Sequence, residues 1–179
     1  MYFSKVIAHR KSLVKSFLDL RGGSWAYNDP CSLSGYYNLL KRLADMGEDL
    51  SFFSHISCSQ SHLNSMKLVA RRKVDAAATD SNVLWIKLRS FPELREQLQI
   101  LESWGPFPIQ PMVLRSGLHP TLKDRLRAGL LTIGAGLQAS PTFAQFGLQR
   151  FAPVTYQHYY APEEHALRRG ERALEVRPR

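Results

Sequence analysis

The sequence predicts an α/β protein whose parallel or mixed sheet is covered by helices on both faces. Two observations predict it. Short apolar runs of strand character alternate with stretches whose apolar residues recur at helical spacing, and the joins between them are rich in Ser, Gly, Asn, Asp and Pro. Composition allows this fold, since 179 residues that are 44% hydrophobic and 22% charged suffice for one sizeable core or two small lobes and exclude global disorder.

Taken in order, Tyr2 to His9 is rich in aromatic and β-branched residues and reads as a strand ended by Arg10-Lys11-Ser12. Ser16 to Gly23 reads as a short helical turn closed by glycine. Ser24-Trp25-Ala26-Tyr27 is a second strand, stopped by Asn28-Asp29-Pro30. Tyr36, Leu39, Leu40, Leu43 and Met46 share one helix face, with Gly47 as the stop. Phe52 to Ser57 is the next strand, and His62 to Arg72 a helix with Leu63, Met66, Val69 and Ala70 on one side. Val74 to Thr79 is a buried strand of small residues, and Asp80 and Ser81 supply caps for a helix through Leu88. Ser90-Phe91-Pro92-Glu93 has the capping-box pattern with proline at the helix start, ahead of a strand from Leu98 to Leu101.

Pro106, Pro108 and Pro111 then force an extended path with few backbone donors, a crossover between lobes. Met112 to Arg115 continues as a strand. His119-Pro120-Thr121 opens a helix whose apolar face is Leu122, Leu126, Leu130 and Ile133. From Ser140 on, the chain reads as a loop, a short segment from Phe151 to Val154 and a charged helix from Pro162, with the residues after Glu175 frayed. There is no internal repeat and no low-complexity tract.

The formal charge of +9 raises nucleic-acid binding, but the basic residues are scattered. The densest runs, Arg71-Arg72-Lys73 and Arg168-Arg169, fall at helix ends, where cations meet the dipole. The expectation is therefore no nucleic-acid partner, with the charge raising the encounter rate of small anions. No apolar run is long enough to span a bilayer, and the residues from Met1 to Arg10 do not have the zones of a secretory signal. Cys31 and Cys58 have neither CxxC nor Cys/His spacing, so they read as two part-buried thiols, with no structural zinc and no cofactor.

Three strand-to-helix turns carry the candidate site. Asp29-Pro30-Cys31-Ser32-Leu33-Ser34-Gly35-Tyr36 places two hydroxyls and a glycine at a helix entry, where unpaired amides and the positive dipole end favour an anion, and Gly35 allows close approach. The competing reading of Ser34 is a helix cap. Ser57-Cys58-Ser59-Gln60-Ser61-His62 repeats the arrangement, with His62 as a further donor or as an exposed cap residue. In the third turn Thr79, Asp80 and Ser81 either meet the ligand or cap the next helix. Successive turns at one edge of an open sheet gather around one crevice. A serine nucleophile is not supported, because Ser34 is not in a G-x-S-x-G elbow and has no assignable partners; the chain is not expected to be an enzyme.

Asp29-Pro30-x-Ser32-x-Ser34-Gly35-Tyr36, Ser61-His62 before a helix, Val74-Asp75-Ala76-Ala77-Ala78-x-Asp80-Ser81 and the proline-rich crossover resemble the phosphate, phosphite and phosphonate substrate-binding proteins of ABC transporters. The resemblance runs from Tyr2-Phe3-Ser4 to Arg150-Phe151-Ala152-Pro153-Val154. It implies a type II periplasmic-binding-protein fold that closes on its ligand like a hinged clamp, an extracytoplasmic location, and an ABC-transporter permease as partner. It also implies that Ser32, Leu33 and Ser34 bind phosphoryl oxygens, that His62 adds a donor, and that Tyr2 reaches the ligand from the crossover side; Asp80, from the reading of the third turn, completes the expected ligand-binding set.

Three departures accompany it. Leu33 stands where threonine is common. Gln110 stands where an acidic residue receives an amino group in aminophosphonate binders. The family's first lobe segment, expected before the equivalent of Tyr2, is absent, so the first lobe is expected to be incomplete. The expected layout is a crossover strand and hinge over 1–20, an α/β ligand-binding lobe over 21–104, and a return crossover with C-terminal helices over 105–179. The alternative is a truncated descendant acting as an interaction protein with weak or no ligand binding, cytoplasmic in the absence of a signal.

Overall fold

The computed structural model describes residues 1–133, 141–155 and 158–159. It contains two compact units, one comprising Met1–Phe107 and the other lying within Pro108–Ala161. The first holds β1 (Tyr2–His9), β2 (Ser24–Tyr27), α1 (Asn38–Asp45), β3 (His55–Cys58), α2 (His62–Ala70), β4 (Ala76–Asp80), α3 (Ser81–Ser90), α4 (Pro92–Gln97) and β5 (Leu98–Phe107); the second holds α5 (Pro120–Thr132) and α6 (Pro141–Ala144).

The sheet is mixed, in the order β3-β2-β4-β1-β5. β2 runs parallel to both β3 and β4, while β1 is antiparallel to β4 and β5. Alternation divides the core between the two faces. Val6, Trp25 and Ala78 pack with Leu39 and Leu43 of α1 on one face; Ile7, Ala26 and Ala77 pack with Met66, Val69, Leu84 and Leu94 of α2, α3 and α4 on the other. The small residues of β4 are fully buried at the sheet centre, where a strand covered on both sides must be apolar.

Several element ends differ from the sequence expectation. The run from Phe52 does not begin as a strand. Leu50–Phe52 is a 3-10 turn capped by Asp49, whose carboxylate accepts the Ser51 amide at 2.8 Å. Phe52 is drawn into an aromatic cluster, stacked on Phe17 at 5.4 Å and edge-on to Phe53 at 5.0 Å, and this packing outweighs strand propensity. The capping box at Ser90 does not form, because the Ser90 hydroxyl donates to Ile86 O within α3. β5 runs on through Gly105-Pro106-Phe107, past a cis Gly105–Pro106 bond. Its place at the sheet edge lets proline lie in a strand.

In the second unit Met112 to Arg115 is not a strand, and Met112 and Val113 are 65% and 79% exposed. The run has strand composition but pairs with no strand among the described residues. α5 begins at Pro120 as expected, yet Leu122, Leu126 and Ile133 are exposed rather than covered. The helix from Pro162 and the fraying after Glu175 lie outside the described residues.

Candidate functional site

Because β2, β3 and β4 are mutually parallel, their carboxyl ends and the turns that follow share one sheet edge. β1 is antiparallel, so its first residues reach the same edge, with Ser4 opposite Asp80. The topology therefore brings Tyr2, the Ser32–Gly35 turn, His62 and Asp80 to one place, although the sequence spreads them from 2 to 80.

The turn after β2 is a single π-helical turn, Leu33–Tyr37, leading into α1. Ser32 is its cap, with Oγ accepting the Gly35 amide at 3.1 Å and its carbonyl accepting the amides of Tyr36 and Tyr37. Among the described residues the amides of Leu33 and Ser34 have no partner. Residue 33 thus contributes a main-chain donor even though its side chain is apolar. The Ser32 hydroxyl, having accepted from Gly35, retains its own proton to donate.

Ser34 is buried, and its hydroxyl lies 3.4 Å from His62 Nε2. Its carbonyl accepts the hydroxyl of Ser4, also buried. Ser4 was not among the sequence candidates; the available signal was a serine inside a strand that otherwise buries apolar residues on that face. Gly35 has a packing task as well. A Cβ there would overlap Asn28 Oδ1, so the missing side chain makes room for Asn28 rather than only for a ligand.

His62 opens α2, capped by Ser61, whose Oγ accepts the Asn64 amide at 3.1 Å. It is half-buried rather than an exposed cap, and Nδ1 is enclosed with no partner among the described residues. Burial pushes its pKa below the usual histidine value, opposed by the negative charge of Asp80. Ser59 braces the same turn by bonding Tyr27 O, Ser61 O and Ser65 Oγ.

In the third turn Asp80, not Ser81, is the cap. Its Oδ1 accepts the amides of Asn82 and Val83 at 2.7 and 3.3 Å, which consumes donors that an anion would otherwise meet. Ser81 Oγ accepts the Phe3 amide instead. Thr79, weighed with them, points to the opposite sheet face by strand alternation and is fully buried with Oγ1 unpartnered. Tyr2 is buried against Phe107, ring centroids 5.7 Å apart. Burial and then Asp80 push its hydroxyl pKa up to about 12.

The result is a neutral donor-rich corner around Ser32, Leu33, Ser34 and His62, bordered by one carboxylate. Among the described residues no group of His, Cys, Asp and Glu is arranged to hold a metal. Cys31 and Cys58 are both exposed thiols, not part-buried, because each lies in or beside a surface turn. No helix among the described residues is long and apolar enough to cross a membrane.

Residues 1–159 match a family model described as the ABC-transporter phosphonate periplasmic substrate-binding protein. Among solved structures, a binding protein component of an ABC phosphonate transporter from Pseudomonas aeruginosa aligns with TM-score 0.77 at 24% identity, covering 88% of this chain and 54% of that one. PhnD1 of Prochlorococcus marinus, in complex with methylphosphonate, aligns with TM-score 0.80 at 17% identity, covering 95% and 67%. A Xanthomonas citri protein bound to ATP aligns with TM-score 0.75 at 22% identity, covering 97% and 68%. These likenesses establish a shared type II periplasmic-binding-protein fold, of which this chain spans about half to two thirds of the relatives' length.

Proposed function

The chain belongs to the periplasmic substrate-binding proteins of phosphonate ABC transporters, and from that premise we propose that it binds a phosphate-, phosphite- or phosphonate-like oxyanion through the Ser32–Ser34 turn and His62. The observation that carries this reading is the approach of Ser34 Oγ to His62 Nε2 at 3.4 Å, beside the unpaired amides of Leu33 and Ser34. Hydroxyls, main-chain amides and a neutral imidazole converge without a competing internal acceptor for every proton, and a tetrahedral anion satisfies them at once. Tyr2 and Asp80 border the ligand in this reading, Asp80 accepting a proton-bearing oxygen.

The family consists of transporter binding proteins rather than enzymes, and its members are periplasmic. By extension this chain acts by holding its ligand, in an extracytoplasmic compartment, for delivery to a permease. The apolar side chain of Leu33 favours the second reading, an interaction protein with weak ligand binding, and one experiment separates the two. Calorimetric titration of the full chain with methylphosphonate, phosphite and phosphate is expected to give saturable binding. Ser34→Ala should weaken it about tenfold or more, the size of a lost hydrogen bond to a charged group. No binding at millimolar ligand, or an unchanged constant in Ser34→Ala, sinks the oxyanion reading.

A further inference from the structure

The opposite end of the same sheet gathers cations that the sequence leaves apart. Arg71, Arg72 and Lys73 follow α2, while His9, Arg10 and Lys11 close β1. The two runs meet where Arg72 Nε lies 3.4 Å from His9 Nδ1. Arg10 joins Arg95 to them, since its guanidinium donates to Arg95 O and Leu98 O at 3.2 and 3.3 Å. Except for the half-buried His9, all are exposed, and none forms an ion pair among the described residues. Of the carboxylates close in sequence, Asp19 accepts the amides of Lys15 and Ser16 and Asp75 accepts the amide and hydroxyl of Ser24, while Glu93 and Glu96 flank Arg95 on α4, so the cations outnumber the acidic groups at this end. A helix end alone does not explain a cluster drawn from three elements.

Beside these cations the turn after β1 displays Leu13, 92% exposed. The turn is braced rather than loose. The Gln99 side-chain amide reaches both His9 O and Val14 O, at 3.4 and 3.3 Å, and Ser12 Oγ accepts the Val14 amide at 3.2 Å. An apolar side chain held outward between Lys11 and Lys15 gains nothing from water or from a phosphodiester backbone. A lipid interface rewards both features together, because headgroup phosphates pair with the cations and the acyl boundary takes the leucine.

We propose that this end of the sheet is a docking surface for an anionic phospholipid membrane, with Arg10, Lys11, Arg71, Arg72 and Lys73 on the headgroups and Leu13 in the boundary beneath them. The candidate anion site lies at the other end of the sheet, at the carboxyl ends of β2, β3 and β4.

Co-sedimentation of the full chain with vesicles tests this. Binding is expected to vesicles of phosphatidylcholine containing about one third phosphatidylglycerol, and not to phosphatidylcholine alone. The exposed double substitution Lys11→Gln with Arg71→Gln should weaken binding about twenty-five-fold, about fivefold for each cation removed. Leu13→Ser should weaken it about tenfold, and circular dichroism should show each variant folded. Failure to bind the anionic vesicles overturns the proposal, as does equal binding to both vesicle types. Displacement by duplex DNA or polyglutamate, with Leu13→Ser unchanged, overturns it in favour of a general polyanion contact.

Discussion

At Gly35 a Cβ would overlap Asn28 Oδ1, and that oxygen is buried without a partner among the described residues. Gly35→Ala is therefore expected to destabilise the fold by about 1–3 kcal/mol, as overpacking does. Combining it with Asn28→Ala should recover most of that loss, since the obstructing group accepts no hydrogen bond; urea denaturation of the two single variants and the double variant measures the coupling. His62 is the other residue with a signed consequence. Its folded pKa lies below the ordinary histidine value of 6.5, chiefly through burial, so the unfolded chain binds the proton more readily. The stability due to neutral His62 is complete above pH 6.5 and is lost as pH falls toward the folded value. Wild type should lose more stability between about pH 7 and about pH 5 than His62→Gln, read from urea midpoints.

Among the elements, α3 shows how one carboxylate serves two purposes. Asp80 caps the helix through Asn82 and Val83 and also sets the charge felt by Tyr2 and His62. Asp80→Ala should cost about 1–2 kcal/mol by removing the cap, whereas Asp80→Asn should retain most of that stability while removing the charge. Thermal unfolding separates the two variants, and a fall in the Tyr2 pKa from about 12 in both reports the lost charge by ultraviolet titration. The π turn before α1 has the opposite character: Ser32 satisfies three amides that follow it and leaves those of residues 33 and 34 to a ligand. A carboxylate cap that takes two amides of α3 and a serine cap that leaves the amides of residues 33 and 34 open thus stand at one sheet edge.

Across the whole molecule, stability is concentrated on the two faces of the sheet in the first unit. Met66 is fully buried there, whereas Leu126 of α5 is 40% exposed. Met66→Ala should cost about 2–5 kcal/mol, and Leu126→Gln less than about 0.5 kcal/mol, measured by chemical denaturation of the full chain. Equal losses would mean that α5 is packed in solution. The exposed Met112, Val113 and Leu122 follow the same pattern, because local helix or strand character does not bury a side chain without a partner surface.

Much of the order of elements was legible in the sequence. Strand composition placed β1 and β2 at their observed ends, helical spacing identified the buried faces of α1 and α2, and the Ser- and Gly-bearing turns marked the candidate site, because all of these depend on residues close together in the chain. What only the tertiary structure decided depends on residues far apart: the contact of Ser34 with His62, the support from Ser4, the neighbourhood of Asp80 with Tyr2, the pull of Phe17 on Phe52 that shortened β3, and the meeting of Arg72 with His9. Each requires strand order and register, and these are set by the summed packing of both sheet faces rather than by any local run of residues.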